Sequence, residues 1–148
     1  KTAMLFEAAC HTSGVLAGAT AEQTEALRKY GNALGIAFQL MDDLLDYSGD
    51  AAEMGKNVGD DLAEGKPTLP LIYTISQAKL VRNAIQKGSG EQIELIRDAV
   101  TASGALEYTA RLAQAQIEEA IDLLQALPAS PYRDSLEQLA RFSVDRTF

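Results

Sequence analysis

The sequence contains few residues that could form disulfides or soft-metal sites. Among its 148 residues there are one cysteine, Cys10, one histidine, His11, and no tryptophan. An intrachain disulfide is therefore excluded, and a reducing compartment such as the cytoplasm is expected. A metal site in this chain would have to be built mainly from oxygen ligands, which favours a hard cation such as Mg²⁺.

The chain also lacks an excess of positive charge and any long apolar run. Its 13 basic and 21 acidic side chains give a net charge of −8, which argues against a nucleic-acid surface and against electrostatic docking on anionic lipid. No apolar run reaches the roughly 20 residues that a membrane-spanning helix requires. The apolar content of 47% is sufficient for one globular domain with a sizeable core.

Apolar residues recur at helical spacing and strand-like alternation is absent, so an all-α antiparallel bundle is predicted. A first helix is expected from Lys1 to about Gly18. A capping box at Thr20–Gln23 opens a long helix that continues to about Ser48. After a loop over residues 49–66, four further helices are predicted, which begin near Pro67, after Ser89–Gln92, after Gly104 and near Ser130.

Three aspartates lie near the end of the long predicted helix, in the segment Phe38–Tyr47 (FQLMDDLLDY). Asp42 and Asp46 are four residues apart and therefore stack on one side of the helix, whereas Asp43 lies about 100° round the axis from Asp42. Stacked carboxylates repel each other, more so when desolvated, and a bound cation relieves this repulsion. Mg²⁺ suits such a site, because one or two carboxylates usually hold it together with water and substrate phosphate. A solvated acidic helix surface is the alternative.

The loop over residues 49–66 follows directly and contains several glycines. Lys56 and Lys66 carry point charges on long side chains, which suits them to bind phosphate oxygens. At about 18 residues the loop is long for a compact domain, which favours a functional role. A solvated polar loop is the other interpretation of this composition.

Three motifs, in this order, resemble those of the trans-type isoprenyl (polyprenyl) diphosphate synthases. The opening KTAMLFEAA resembles the family's KT motif, FQLMDDLLD resembles its second aspartate-rich motif with the preceding FQ pair, and GKNVGDDLAEGKPTLP resembles the segment that follows. The likeness extends over the whole chain, and the ending from Leu127 to Arg146 is most similar to the octaprenyl diphosphate synthase branch. The resemblance implies an isoprenoid-synthase helical bundle in which residues 1–68 bear the site and residues 69–148 form scaffold.

The resemblance also implies a reaction. Members of the family are Mg²⁺-dependent prenyltransferases in which an allylic diphosphate ionises and the double bond of isopentenyl diphosphate attacks the resulting carbocation. For this chain we therefore expect elongation to a long-chain all-trans polyprenyl diphosphate, octaprenyl in length, for quinone side chains. A cytoplasmic homodimer that binds no nucleic acid is expected.

The resemblance assigns roles to eight residues. Asp42 and Asp46 would hold Mg²⁺ against the allylic diphosphate, and Asp43 would act through a water molecule. Lysines would contact diphosphate oxygens, while a threonine and a glutamine would place dipoles near the developing cation. For Lys66, pairing with Asp60–Asp61 is an alternative to diphosphate contact. The catalytic residues so implied are Lys1, Thr2, Gln39, Asp42 and Lys56, and the diphosphate-binding residues are Lys1, Thr2, Gln39, Lys56 and Lys66.

The family's first aspartate-rich motif, which precedes the KT motif, has no counterpart in this sequence. The chain is therefore expected to be the C-terminal half of a synthase, inactive alone and associating with the missing half or with a second copy. In the family, residues near that first motif govern product length. A shorter-chain (farnesyl or geranylgeranyl) synthase or a terpene cyclase is therefore an alternative interpretation of this sequence. A non-catalytic regulatory subunit is a further alternative, against which the presence of Lys1, Asp42, Asp46 and Lys56 argues.

Overall fold

A computed structural model describes residues 1–48, 61, 64–77 and 93–145, and in these residues the regular secondary structure is helical. The all-α prediction is therefore confirmed. Among the described residues, no helix combines the length and the apolarity needed to cross a bilayer. The helices are α1 (Thr2–Leu16), α2 (Ala21–Ser48), α3 (Leu69–Gln77), α4 (Ile93–Ala102), α5 (Ala105–Leu123), which a 3₁₀ turn (Leu124–Ala126) follows, and α6 (Pro131–Val144).

Capping residues set the starts of α2 and α6, as the sequence predicts. The Thr20 backbone N–H donates to Gln23 Oε1 at 3.1 Å, and the Gln23 N–H donates to Thr20 Oγ1 at 3.2 Å. This reciprocal pair satisfies backbone donors that the first helical turn leaves without partners. At α6, Ser130 Oγ accepts from the Arg133 N–H at 3.2 Å. Between α4 and α5, Gly104 has φ +74°, which explains the break there.

Contacts divide the chain into two compact units, and the division falls within α2 and α5. Of the described residues, the first unit comprises 1–41 and 112–145, and the second comprises 42–48, 61, 64–77 and 93–111. The functional division into site-bearing and scaffold halves stays a prediction. The segment Ser89–Gln92, after which a helix is expected to begin, lies outside the described residues, as does most of the loop over 49–66.

In the first unit, α1 crosses α2 at two glycines. A Cβ atom on Gly31 would lie 2.8 Å from the carbonyl carbon of Phe6, and one on Gly35 would lie 2.6 Å from Ala3 Cα. Neither distance is compatible with a side chain, because the neighbouring atoms are backbone. Glycine costs up to about 1 kcal/mol relative to alanine inside a helix, and the close approach of α1 offsets that cost. The two glycines thus provide room for a neighbouring helix.

Each unit has its own apolar core. In the first unit, α2 packs against the C-terminal helices, and the phenol of Tyr30 donates to the Leu136 carbonyl oxygen at 2.8 Å. In the second unit, the rings of Tyr73 and Tyr108 stack with centroids 4.6 Å apart. The buried members of the first core are Tyr30, Ala33, Leu34, Ala37, Ile117, Ala120, Leu124 and Ala140. Those of the second are Tyr47, Leu71, Ile96, Val100 and Ala105.

Candidate active site

The predicted site residues of the first unit lie at the start of α1 and late in α2. Thr2 Oγ1 donates to Gln39 Oε1 at 2.9 Å, although the two residues are 37 positions apart in sequence. Both side chains are half-buried, so the hydrogen bond restricts their rotamers and brings the KT and FQ motifs together. Lys1 is exposed and is the N-cap residue of α1.

A polar network that the sequence did not indicate joins α1 to α2 farther along. Glu7 accepts hydrogen bonds from Arg28 Nη1 and, at 2.7 Å, from Asn32 Nδ2. These bonds, first that from Arg28 and then that from Asn32, lower the pKa of Glu7 below its ordinary value. The rings of Phe6, the residue before Glu7, and of Phe38 also connect α1 to α2, with their centroids 5.7 Å apart. Because the partners are 21 or more residues apart in sequence, no local pattern could have revealed the network.

The predicted metal ligands belong to the second unit, on the last turns of α2. The helix continues to Ser48, as predicted, so the four-residue spacing of Asp42 and Asp46 places them on one side of it. Asp42 is exposed, whereas Asp43 and Asp46 are half-buried. The Oδ2 atom of Asp46 is shielded from solvent. The three carboxylates therefore occupy different environments, a distinction that the motif alone does not make.

Asp61 connects Asp46 to Lys66. The Asp61 backbone N–H donates to Asp46 Oδ1 at 3.5 Å, which is the outer limit for such a bond. The Lys66 ammonium donates to Asp61 Oδ1 and lies 3.2 Å from Glu64 Oε2. These two carboxylates, that of Asp61 first, raise the pKa of Lys66 above its ordinary value. Of the two interpretations of Lys66, the pairing with Asp61 is observed, and contact with diphosphate stays a prediction.

The segment that carries Lys66 is attached to α2 by a buried pair of hydroxyl groups. Gly65 has φ +72°, and this turn allows the Lys66 N–H to donate to the Asp61 carbonyl oxygen at 2.9 Å. Two residues on, Thr68 Oγ1 lies 3.0 Å from the Tyr47 hydroxyl oxygen. Burial raises the pKa of Tyr47 above its ordinary value. The sequence carries no motif that indicates this pair.

The donor set fits a hard divalent cation. Among the described residues, no three histidine, cysteine, aspartate or glutamate side chains form a preassembled metal site. Mg²⁺ does not need one, because it commonly takes one or two carboxylates and completes its shell with water and phosphate oxygens. Asp42 offers an exposed carboxylate, and Asp46 follows one turn later on the same helix. Lys56, the remaining predicted contact, lies outside the described residues.

Comparison with protein families gives a consistent assignment. The family model for polyprenyl synthetase matches residues 1–103. The octaprenyl diphosphate synthase of Escherichia coli (strain K12) is 50% identical over 152 residues, covering 99% of this chain and 47% of that protein. The octaprenyl diphosphate synthase of Haemophilus influenzae is 46% identical, covering 100% of this chain and 47% of that protein. The chain thus spans about half the length of the curated relatives it matches.

Solved structures show the same likeness. The polyprenyl synthase of Caulobacter crescentus CB15, complexed with calcium and isoprenyl diphosphate, has a TM-score of 0.88 and 42% identity, covering 99% of this chain and 47% of that one. The geranylgeranyl pyrophosphate synthetase of Pyrococcus horikoshii Ot3 has a TM-score of 0.90 and 35% identity, covering 99% of this chain and 46% of that one. The resemblance that the motifs indicated is therefore confirmed, and this chain belongs to the polyprenyl synthetase family, with its all-α isoprenoid-synthase fold.

Proposed function

We propose that this chain forms part of a prenyltransferase that condenses an allylic diphosphate with isopentenyl diphosphate. One observation carries the proposal above all: a single helix, α2, bears Gln39, bonded to Thr2, and then Asp42 and Asp46. A group that can face a cation and groups that can hold a metal–diphosphate thus follow each other in the sequence of one helix. The identity to octaprenyl diphosphate synthases supports a long-chain, octaprenyl product.

The proposed cofactor is Mg²⁺, with Asp42 and Asp46 as its ligands and Asp43 acting through water. When bound, the ion neutralises charge on the departing diphosphate as a Lewis acid. The donor set described above supports this assignment, since it consists of carboxylate oxygens on one helix. The complex of the Caulobacter relative with calcium and isoprenyl diphosphate also supports a divalent cation and a diphosphate as ligands of this family member.

The chain's own cations would bind the diphosphate oxygens. Lys1, Lys56 and Lys66 carry the positive charges proposed for this role, in a chain whose net charge is −8. Thr2 and Gln39 would orient their dipoles toward the developing allylic cation. Because a hydrogen bond already fixes these two side chains, little reorganisation is needed when the cation forms, which is how preorganised dipoles lower a barrier.

The proposal is tested by a product assay on the complete protein. Farnesyl diphosphate, Mg²⁺ and radiolabelled isopentenyl diphosphate are supplied, and the labelled products are sized by chromatography after removal of phosphate. We expect a labelled long-chain alcohol of octaprenyl length, abolished by excess chelator and restored by Mg²⁺. Absence of labelled product from protein of verified intact mass would contradict the proposal.

A shorter-chain synthase is the second candidate, favoured by the likeness to the Pyrococcus geranylgeranyl pyrophosphate synthetase. The same assay separates the two, because a shorter-chain enzyme stops at farnesyl or geranylgeranyl length. A regulatory subunit would give no product alone at any length. The use of the product for quinone side chains and a cytoplasmic location are part of the first proposal.

Association with another surface is also part of the proposal. Four large apolar side chains of α1 are exposed, namely Met4, Leu5, Val15 and Leu16. Exposed apolar groups along one helix favour burial against a partner, either a second copy or the remainder of the protein. Light scattering of the 148-residue chain at micromolar concentration should therefore show a species larger than a monomer, and a clean monomer would contradict this.

A further inference from the structure

We propose that Tyr47, Thr68 and Asp61 are positioning residues that hold the Asp46 carboxylate in the orientation needed to bind a divalent cation. They do so through a closed chain of bonds, called here the clasp, which runs from Asp46 through Asp61, Lys66 and Thr68 back to Tyr47. The inference rests on the proposed function for the nature of the cation. It gives a role to three residues that the proposed chemistry does not use.

One end of the clasp lies at Asp46. The Asp61 N–H donates to Asp46 Oδ1 at 3.5 Å. Asp61 cannot readily turn away, because Lys66 bonds it twice: the Lys66 N–H donates to the Asp61 carbonyl oxygen at 2.9 Å, and the Lys66 ammonium donates to Asp61 Oδ1. The side chain of Asp61 is only 19% exposed. Lys66 therefore restrains Asp61, whose backbone N–H donates to the candidate metal ligand Asp46.

The other end of the clasp lies at the next residue of α2. The Thr68 N–H donates to the Lys66 carbonyl oxygen at 2.9 Å, and Thr68 Oγ1 lies 3.0 Å from the Tyr47 hydroxyl. Tyr47 and Thr68 are 5% and 6% exposed. The Ile72 N–H donates to the Thr68 carbonyl oxygen at 3.0 Å, which leads directly into α3. The hydroxyl pair thus fixes the Asp61–Lys66 arrangement to a buried point of the second unit.

The physical reason for such a clasp is the torsional freedom of a carboxylate. A metal ligand must present one oxygen in a defined direction, and hydrogen bonds to the ligand set that direction. Loss of such outer partners typically weakens metal binding by about 10- to 100-fold. A purely structural role for the hydroxyl pair would instead lower stability and leave metal affinity unchanged. The two roles therefore differ in a measurable quantity.

The test measures binding of Mn²⁺ to the complete protein in the presence of inorganic pyrophosphate, by electron paramagnetic resonance. Tyr47→Phe and Thr68→Val each remove one hydroxyl group and retain the buried volume. Each should weaken Mn²⁺ binding by about 10-fold, the lower end for outer partners of a metal ligand. Thr68→Ser keeps the hydroxyl and should retain the affinity. The double variant should be hardly weaker than either single variant, since both break the same bond.

Tyr30→Phe is the matched control. Tyr30 is 1% exposed, and its phenol donates to the Leu136 carbonyl oxygen at 2.8 Å within the first unit. This variant loses a comparably buried bond and should lower the melting temperature without changing Mn²⁺ affinity. Wild-type affinity in Tyr47→Phe and Thr68→Val, or an equal loss in Tyr30→Phe, would overturn the positioning role. If the variants show the expected differences in Mn²⁺ affinity but the protein gives no product in the prenyl-transfer assay, the proposed function fails and the positioning role stands.

Discussion

The two units hold their predicted site residues in different ways. In the first unit, packing between two long helices does so: α1 lies against α2 at Gly31 and Gly35, and Thr2 bonds to Gln39. In the second unit, the clasp does so: Asp61 bonds to Asp46 and Thr68 bonds to Tyr47, two consecutive residues near the end of α2, and Lys66 bonds to Asp61. The first arrangement is part of the helix packing itself, whereas the second is an attachment to a completed helix.

This difference predicts different consequences of substitution. Damage to the packing of α1 on α2 should reduce the stability of the first unit, because close-packed helices cannot adjust locally. Damage to the clasp should change metal affinity with little loss of stability, because one buried hydrogen bond contributes only about 1 kcal/mol.

The largest effect is expected at the proposed metal ligand. Asp42→Ala should lower turnover of the complete protein by about 10³-fold or more, since an electrostatic partner of the leaving group is lost. Asp42 is exposed, so the melting temperature should hardly change. Steady-state assays together with thermal melts measure both. Asp98→Ala, which removes another exposed helical aspartate of the second unit, is the control, and an equal loss of turnover there would remove Asp42 from the metal site.

The next effect concerns the packing of α1 on α2. Gly31→Ala would place a Cβ atom 2.8 Å from the Phe6 carbonyl carbon, so the helices must separate. Overpacking of this kind typically costs about 1–3 kcal/mol, measurable by chemical denaturation. Gly14→Ala is the control, because its Cβ would meet a Leu27 methyl at 3.2 Å and Thr24 Cα at 3.3 Å, distances that a shift of a few tenths of an ångström relieves. If the two substitutions have equal effects, the close approach at Gly31 is not what determines the stability of this contact.

A smaller effect is expected for the bond between Thr2 and Gln39. Thr2→Val removes the hydroxyl dipole and its bond to Gln39, and it should lower kcat by about 10-fold, because a neutral dipole stabilises the developing cation less than a full charge would. The concentration of Mg²⁺ giving half-maximal rate should stay unchanged. Thr2→Ser keeps the donor and should behave like the wild type. A valine variant with wild-type kcat would show that this hydrogen bond does not position Gln39 for the reaction.

The smallest effect is a pH dependence of stability. The pKa of Glu7 is lowered by its bonds to Arg28 and Asn32, so its ionised form contributes stability that is fully present above the unfolded-state pKa. That contribution is lost as the pH falls below the ordinary range of a glutamate and through the lowered folded-state pKa. Glu7→Gln should flatten this part of the melting-temperature profile. Glu118→Gln, at an exposed position of α5, should leave the profile unchanged.

Much of the fold could be predicted because its determinants are local. The capping box of Thr20 and Gln23 and the break at Gly104 were read from neighbouring residues, and both are confirmed. Local patterns succeed here because a cap or a break depends on a few consecutive residues.

The parts of the candidate site that sequence did not reveal depend on contacts between distant residues. Thr2 and Gln39 could be associated only through the family resemblance, because 37 positions separate them. The pair of Tyr47 and Thr68, 21 positions apart, has no motif of its own: a tyrosine beside an acidic run is equally consistent with ordinary packing. Only the observed distances distinguish a clasp from unrelated polar groups.

The measurement that tests the comparison most directly is the Mg²⁺ dependence of turnover in Thr2→Val and Tyr47→Phe, measured side by side in the complete protein. We predict a lower kcat with unchanged Mg²⁺ dependence for Thr2→Val. For Tyr47→Phe we predict a curve shifted to higher Mg²⁺ by about 10-fold, with kcat recovered at saturation. The same change in both variants would contradict the account, because the two units would then not hold their predicted site residues in different ways.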